Sequence, residues 1–375
     1  KPLLGSSGGG NKNLIINGGH NVSQRGTAAV TVTSSADFRC VDRWKTDIDG
    51  SGGGDFSHAQ STDVPTGQGF TNSSKITTVT QASQPTSEGN RNQFYYQLEK
   101  QDVVQLGWGT SSAKTCTLSF WVKASITGVY PLWFQYYASG GNQYYYTNYT
   151  ISAANTWEKK TITLTGPTSG GMVSGTTAVG FRIEWGLGYG SDSETGTLNA
   201  WTTSSTIRTA SGSVYLPENA GATWYLTGCQ FETSSVATDF DHRSFAQELA
   251  LCQRYFYGHS GGTHTVNGSN SSTPDTVLGT CACQATTAIS VSLILPVPMR
   301  AVPTLYSTVT GSTRYRLNSY GANTNSGSDL VMYTAGSTHT LVQADLAGFS
   351  GLVAGDAGTV RRYTGSGVLG FQAEL

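Results

Sequence analysis

Hydrophobic and polar residues alternate along most of this chain, and glycine-rich polar stretches separate the alternating segments. In TCTLSFWVKA (115–124), the apolar positions of the alternation are Cys116, Leu118, Phe120 and Val122. Residues two apart lie on the same face of a β-strand, so this period predicts a half-buried strand. Similar segments recur up to about residue 243 and again after residue 258. The pattern therefore predicts an all-β protein.

The segment SFAQELALCQRYFYGHS (244–260) departs from this alternation. Ser244 is a good N-cap, and Gln247 follows three residues later, as in a capping box. Apolar residues then recur at steps of four, three and four, at Phe245, Leu249, Cys252 and Phe256. This spacing predicts a short amphipathic helix from about 245 to 256, lying between two strand-rich units.

The same pattern predicts four parts along the chain. They are a flexible leader at 1–12, a strand-rich unit at 13–243, a connecting helix at 244–257 and a smaller strand-rich unit at 258–375. The 375 residues are enough for two or three domains with their own cores.

Composition narrows the possible partners. The chain has 22 Lys and Arg against 23 Asp and Glu, so it lacks the excess of basic residues that binding to nucleic-acid phosphates requires. We expect no nucleic-acid partner. No apolar run approaches membrane-spanning length, and we expect no membrane insertion. The 8 Trp, 19 Tyr and 13 Phe supply ample surface to bury in β-sandwich cores.

Two clusters have residue types that bind metals. Cys252, His259, His264, Cys281 and Cys283 lack the paired short spacing of a structural zinc site, so buried core cysteines are favoured over zinc.

The second cluster, DIDGSGGGD (47–55), begins like a calcium-binding loop, with oxygens at Asp47, Asp49 and Asp55. His58 stands where an EF-hand loop needs a bidentate Glu. A solvated turn is therefore favoured, and a structural calcium ion is the alternative. We expect no other cofactor.

Carboxylates suited to hydrolysis occur at two places. Asp239 and Asp241 precede the helix, where acidic residues are also expected for capping. Glu184, Asp192 and Glu194 lie beside aromatic residues. A solvated loop explains these carboxylates, and the chain has neither a nucleophile elbow nor an HExxH motif. We therefore expect a protein that is not an enzyme.

Aromatic residues are concentrated in VYPLWFQYYASGGNQYYYTNYT (129–150). Alternation should send about half of them into a core and leave the others to face solvent or a partner. Tyrosine and tryptophan suit both sugar binding and subunit interfaces. Core or interface is favoured over a glycan platform. The candidate residues are Tyr136, Tyr137, Tyr144, Tyr145, Tyr146, Tyr149, Trp185 and Trp201.

A series of motifs resembles a widespread family of phage virion proteins described as tail fibre or tail fibre-like. In chain order they are NLIINGGHNVSQRG (13–26), VDRW (41–44), TLSFWVKAS (117–125), ANTWEKKTITL (154–164), WYLTGCQFE (224–232), ATDFDHRSFAQELALCQRYF (237–256) and FQAEL (371–375). The run from 224 to 256 is the most specific part. The resemblance implies a jelly-roll β-sandwich like that of carbohydrate-binding modules, followed here by the short connecting α-helix and a second, smaller β-sandwich domain.

The resemblance also implies a function and a setting. We expect a homotrimeric tail fibre or receptor-binding subunit of the virion that binds host cell-surface glycans without turnover. Residues 1–12 would attach it to other virion proteins after assembly in the host cytoplasm. A head fibre or capsid decoration protein is the alternative. A polysaccharide depolymerase and a secreted lectin or adhesin are further alternatives.

Overall fold

The structure is a computed structural model. It describes residues 12–33, 38–49, 53–87, 89–193, 197–205, 212–260, 277–307, 315–319, 322–326, 331–333, 340–349, 352–362 and 369–375. Of the predicted leader at 1–12, all but Lys12 lies outside the described residues. No helix among the described residues is long and apolar enough to span a membrane.

The chain forms two compact units. The first comprises Lys1–Asn21, Ala29–Phe38 and Trp44–Arg243, and the second comprises Val22–Ala28, Arg39–Arg43 and Ser244–Leu375. Two short N-terminal segments thus belong to the same unit as the C-terminal third of the chain.

The first unit is built from twelve strands among its described residues. They are β1 Val30–Val32, β2 Trp44–Asp49, β3 Asp55–Ser61, β4 Ser73–Thr80, β5 Arg91–Glu99, β6 Thr115–Ala124, β7 Gly128–Tyr136, β8 Gln143–Ile151, β9 Glu158–Thr165, β10 Val179–Tyr189, β11 Trp201–Thr202 and β12 Thr223–Glu232. A short helix, α1 (Lys100–Val103), and 3₁₀ turns at Val104–Leu106, Ser191–Ser193 and Leu216–Glu218 connect them. Strand β6 has the bounds that the alternation predicts.

These strands form two antiparallel six-stranded sheets. The first sheet has the order β1-β3-β4-β12-β6-β9, and the second has the order β11-β8-β7-β10-β5-β2. Aromatic side chains join the sheets through the core, where Phe94 meets Trp224 with ring centroids 5.6 Å apart and Phe181 meets Phe231 at 5.1 Å. The structure confirms the predicted all-β sandwich.

Ten strands form the described part of the second unit. They are β13 Phe256–Ser260, β14 Val277–Ala285, β15 Ala288–Ile294, β16 Thr304–Ser307, β17 Tyr315–Ser319, β18 Ala322–Ser326, β19 Val331–Tyr333, β20 Leu341–Ala347, β21 Ala357–Arg362 and β22 Leu369–Gln372. They pair as a three-stranded sheet, β13-β22-β16, and a seven-stranded sheet, β18-β17-β21-β14-β15-β20-β19. One apolar core contains side chains of both sheets, among them Ile289, Val342 and Phe371.

The predicted helix is present as α2, Phe245–Gln253. Ser244 caps it, because its side chain accepts a hydrogen bond from the backbone N–H of Gln247 at 3.3 Å. The predicted apolar stripe is only partly correct. Cys252 is buried, whereas the side chain of Phe245 is 60% exposed. The helix also ends earlier than predicted, because Phe256 already pairs with Gln372 in the sheet.

A buried ion network lies within the second unit. Glu374 accepts hydrogen bonds from Arg25 at 3.2 Å and from Arg43 at 3.0 Å. The guanidinium of Arg25 also lies 3.5 Å from the ring centroid of Phe256, and that of Arg43 lies 3.4 Å from the ring centroid of Tyr255. These contacts tie the N-terminal segments of this unit to its C-terminal residues.

Candidate functional site

The second sheet carries a set of polar and aromatic side chains on the face opposite its core. Strand alternation produces this face: in β10, Phe181, Ile183 and Trp185 point into the core, and Arg182 and Glu184 point away from it. We call it the polar–aromatic face, defined by Asp47, Gln93, Tyr95, Trp133, Gln135, Tyr144, Tyr146, Arg182 and Glu184.

Strand register aligns these side chains in rows across the sheet. In one row, Glu184 pairs with Tyr95 on one side and with Trp133 on the other, and Trp133 pairs with Tyr146. In the next row, Arg182 pairs with Gln135, and Gln135 pairs with Tyr144. Directly paired side chains on one face lie close enough to interact, so these side chains form one continuous set. Arg182 and Tyr144 are half-buried, and the other members of the set are buried.

Glu184 is fully buried and organises the centre of the polar–aromatic face. Its Oε1 accepts hydrogen bonds from the indole N–H of Trp133 and, at 2.7 Å, from the Tyr189 hydroxyl. Its Oε2 lies 2.5 Å from Nη2 of Arg182. Both carboxylate oxygens are therefore engaged by groups of the protein itself, an arrangement that holds Trp133 and Arg182 in place.

Arg182 links the charged and aromatic parts of the face. Its guanidinium lies 3.7 Å from the ring centroid of Tyr95, and its Nη2 lies 4.0 Å from Oδ2 of Asp47. Burial alone would lower the pKa of Arg182, but the nearby Glu184, Tyr95 and Tyr137 outweigh it and raise that pKa. The side chain is therefore a permanent cation in a defined orientation.

Tyr137 and Tyr144 are the half-buried aromatic residues at the edge of this surface. Tyr144 stacks on Tyr146 with ring centroids 6.3 Å apart and planes 7° apart. The hydroxyl of Tyr146 donates a hydrogen bond to the carbonyl of Ser204 at 2.7 Å, which holds this ring in place. Burial raises the pKa of Tyr137, so its hydroxyl stays protonated at neutral pH.

Several polar side-chain atoms on this side of the second sheet are buried. Nε2 of Gln93 donates to Oδ2 of Asp47 at 2.5 Å, and this bond orients Oε1 of Gln93 as the remaining acceptor. Within the described residues, Oε1 of Gln93, Oδ1 of Asn148 and Nε of Arg182 have no hydrogen-bond partner. A buried polar atom without a partner costs free energy unless a bound molecule satisfies it.

The eight aromatic candidates from the sequence separate into three groups. Tyr136, Tyr145, Tyr149 and Trp185 are buried, with exposures from 0% to 9%, and they face the sandwich core. Tyr137, Tyr144 and Tyr146 belong to or border the polar–aromatic face. Trp201 is half-buried at the sheet edge, where its indole N–H donates to the carbonyl of Thr165 at 2.7 Å.

The three candidate calcium ligands lie on different sheets. Asp47 and Asp49 are on β2 of the second sheet, and Asp55 is on β3 of the first. Asp49 ion pairs with Arg91 at 2.5 Å, and Asp55 accepts a hydrogen bond from Thr80 at 2.6 Å. No metal-binding group of three or more His, Cys, Asp or Glu side chains occurs in the described ranges. The calcium ion stays a prediction.

The cysteine and histidine candidates have varied positions. Cys252, Cys281 and Cys283 are buried, and His259 lies 3.2 Å from the hydroxyl of Tyr257. His264 lies outside the described residues.

A buried polar cluster in the first unit was not evident from the sequence. Nδ1 of His20 lies 2.7 Å from Oγ of Ser74, and Nε2 of His58 lies 3.1 Å from the same atom. Burial lowers the pKa of His58 to about 3 and also lowers that of His20 well below its ordinary value. Both rings are therefore neutral and belong to the core.

The sequence alone did not identify Arg182, Gln93 and Tyr95 as site residues. The available signal was the charge alternation in GFRIEW (180–185), where Arg182 and Glu184 occupy the positions between apolar residues. That signal shows that both charged residues share a face. It does not show that Trp133 and Tyr95 lie on either side of them.

No protein-family model matches this chain, and no curated protein sequence matches it. Among solved structures, it is similar to the enzymatically active domain of tailspike protein 4 of bacteriophage CBA120, with 12% identity over 60% of this chain and a TM-score of 0.31. The matched region is 22% of that tailspike chain.

Two further solved structures are similar to this chain. One is a putative sugar binding protein from Bacteroides thetaiotaomicron, with 13% sequence identity and a TM-score of 0.33. The match covers 59% of this chain and 100% of that chain. The other is a family 11 carbohydrate-binding module from Clostridium thermocellum in complex with a mixed-linked tetrasaccharide, with 12% sequence identity and a TM-score of 0.29. The match covers 56% of this chain and 99% of that chain.

Proposed function

We propose that the first unit binds a neutral glycan on the polar–aromatic face and does not cleave it. The observation that carries this proposal is the half-buried Tyr144 beside the network of Arg182, Glu184 and Trp133. An aromatic ring stacks on the C–H groups of a sugar, and oriented polar atoms beside it bind the hydroxyls.

The charges of the face favour an uncharged ligand. Arg182 ion pairs with Glu184, and Arg91 ion pairs with Asp49. A charged ligand would have to compete with these internal pairs, whereas a neutral sugar stacked on Tyr144 would leave them intact. Because both oxygens of Glu184 are engaged internally, the network supports binding in preference to general acid catalysis.

In its setting, we propose that the protein is a tail fibre or receptor-binding subunit of a phage virion. The motif series from 13 to 256 supports this setting. The chain would act as a homotrimer, joined to other virion proteins through residues 1–12, and its repeated sites would convert weak sugar contacts into avidity. Immunogold labelling of virions with an antibody against this chain would test the location, and labelling of the head instead of the tail would support a head fibre.

Calorimetric titration of the full chain with a panel of neutral oligosaccharides tests the binding site. We expect one or more oligosaccharides to bind and Tyr144→Ala to weaken that binding about tenfold, because the stacking surface is lost. Phe245→Ala removes an exposed aromatic ring of the second unit and serves as the matched control. Equal affinities for Tyr144→Ala and Phe245→Ala would rule out this face, and release of reducing ends would rule out binding without turnover.

A further inference from the structure

The first sheet has its own set of aromatic and charged side chains on the face away from the core. Lys75 on β4 pairs with Tyr225 on β12, and Tyr225 pairs with Lys123 on β6. Their sequence neighbours Ile76, Trp224 and Val122 are fully buried in the core. Alternation therefore directs Lys75, Tyr225 and Lys123 to the opposite side of the sheet.

Trp157 completes this surface, which we call the lysine–aromatic face: Asp63, Lys75, Lys123, Trp157, Lys159 and Tyr225. The rings of Trp157 and Tyr225 have centroids 6.1 Å apart and planes at 66°. Nζ of Lys123 lies 4.3 Å from the Tyr225 centroid and 5.4 Å from that of Trp157. Trp157 itself is half-buried, so part of its ring is open to a ligand.

Asp63 anchors the surface and stays ionised. It accepts a hydrogen bond from the indole N–H of Trp157 at 3.0 Å and another from the ammonium group of Lys123. Partial burial alone would raise the pKa of Asp63, but these two hydrogen bonds outweigh it and lower that pKa. Asp63 therefore neutralises Lys123 and orients the Trp157 ring.

Two cations of this face are not neutralised in the same way. Among the described residues, no carboxylate lies within ion-pair distance of Lys75 or Lys159. Lys75 is half-buried, with its Nζ 5.6 Å from the Tyr225 centroid, and Lys159 is exposed on β9. The lysine–aromatic face therefore has excess positive charge next to the rings of Trp157 and Tyr225.

We propose that the lysine–aromatic face is a second saccharide-binding site and that its ligand is a sugar with a carboxylate group. The Trp157 ring supplies the stacking surface, Lys75 pairs with the carboxylate, and the exposed oxygens of Asp63 accept sugar hydroxyls. The charges distinguish it from the polar–aromatic face, where Arg182 and Arg91 are paired with Glu184 and Asp49. One unit would therefore bind a neutral sugar on one sheet and an acidic sugar on the other.

The two sites can be tested independently. The probes are a tetramer of galacturonic acid and its fully methyl-esterified form, which has the same ring and lacks the charge, titrated into the full chain by calorimetry. We expect the acid to bind at least about fivefold more tightly than the ester, and binding to weaken with added salt. Lys75→Gln should remove this preference, and Trp157→Ala should weaken both forms.

Phe245→Ala is the matched control, because it removes an exposed aromatic ring of the second unit. We expect it to leave galacturonate binding unchanged. Equal binding of acid and ester, or unchanged acid binding in both Lys75→Gln and Trp157→Ala, would overturn the proposal. A third outcome would also overturn the proposal: the unsubstituted chain does not bind galacturonate, and Trp157→Ala lowers the mass of its assembly in analytical ultracentrifugation. That outcome would identify the face as a subunit interface.

Discussion

The Nη2 atom of Arg182 lies 2.5 Å from Oε2 of Glu184, two positions along the same strand and on the face of the sheet away from the core. Glu184 is fully buried, so this ion pair is shielded from solvent on its acidic side. Breaking one partner of such a pair leaves an uncompensated buried charge.

We therefore expect Arg182→Met to lower the free energy of unfolding by about 3 kcal/mol or more. The double variant Arg182→Met/Glu184→Gln should recover much of this loss, because the unpaired charge is then absent. Urea denaturation followed by tryptophan fluorescence measures both. Similar losses in the single and double variants would show that packing, and not the ion pair, accounts for the effect.

Tyr144 and Tyr145 are adjacent in sequence, but their substitution by alanine should affect different properties of the protein. Tyr145 is 9% exposed and faces the core, so Tyr145→Ala should lower the free energy of unfolding by about 3 kcal/mol. Tyr144→Ala should change the free energy of unfolding by less than about 1 kcal/mol and act on glycan affinity instead. Thermal denaturation and calorimetric titration of both variants separate the two effects. A large stability loss in Tyr144→Ala would assign this ring to the core.

Acid should destabilise the first unit through its buried histidines. The folded pKa of His58 is about 3, below its ordinary value of 6.5, because burial disfavours the charged ring. Between these two values the unfolded chain binds more protons than the folded chain, so stability is lost as the pH falls below about 6.5. The loss is up to about 1.4 kcal/mol per pH unit for each histidine. His58→Gln should show a shallower decrease between pH 6.5 and 5, and an unchanged slope would contradict this assignment.

Glu374 should be needed for the stability of the second unit. Its carboxylate contacts Arg25 and Arg43, and the side chains of both arginines are only 1% exposed. Glu374→Gln keeps the shape of the side chain and should lower the free energy of unfolding of this unit by about 3 kcal/mol. Limited proteolysis should then cleave the region after Ser244 more rapidly. Glu248→Gln, on the helix of the same unit, is the control and should have little effect.

Alternation of side chains was enough to predict an all-β chain and the bounds of β6, and the capping box and the apolar spacing after it predicted the helix that follows Ser244. These features depend on interactions between near neighbours in the chain, which composition and spacing record directly. The same alternation predicted that about half of the aromatic residues between 129 and 150 face the core.

Strand order and register determine which side chains of different strands lie next to each other, which alternation within one strand does not show. They determine that β10 lies between β5 and β7, which brings Glu184 between Tyr95 and Trp133. They also determine which tyrosines are buried, and they place Lys75 beside Tyr225, 150 positions away along the chain. A period of two assigns a residue to a face of its own strand, but only the pairing of distant strands selects its neighbours on that face.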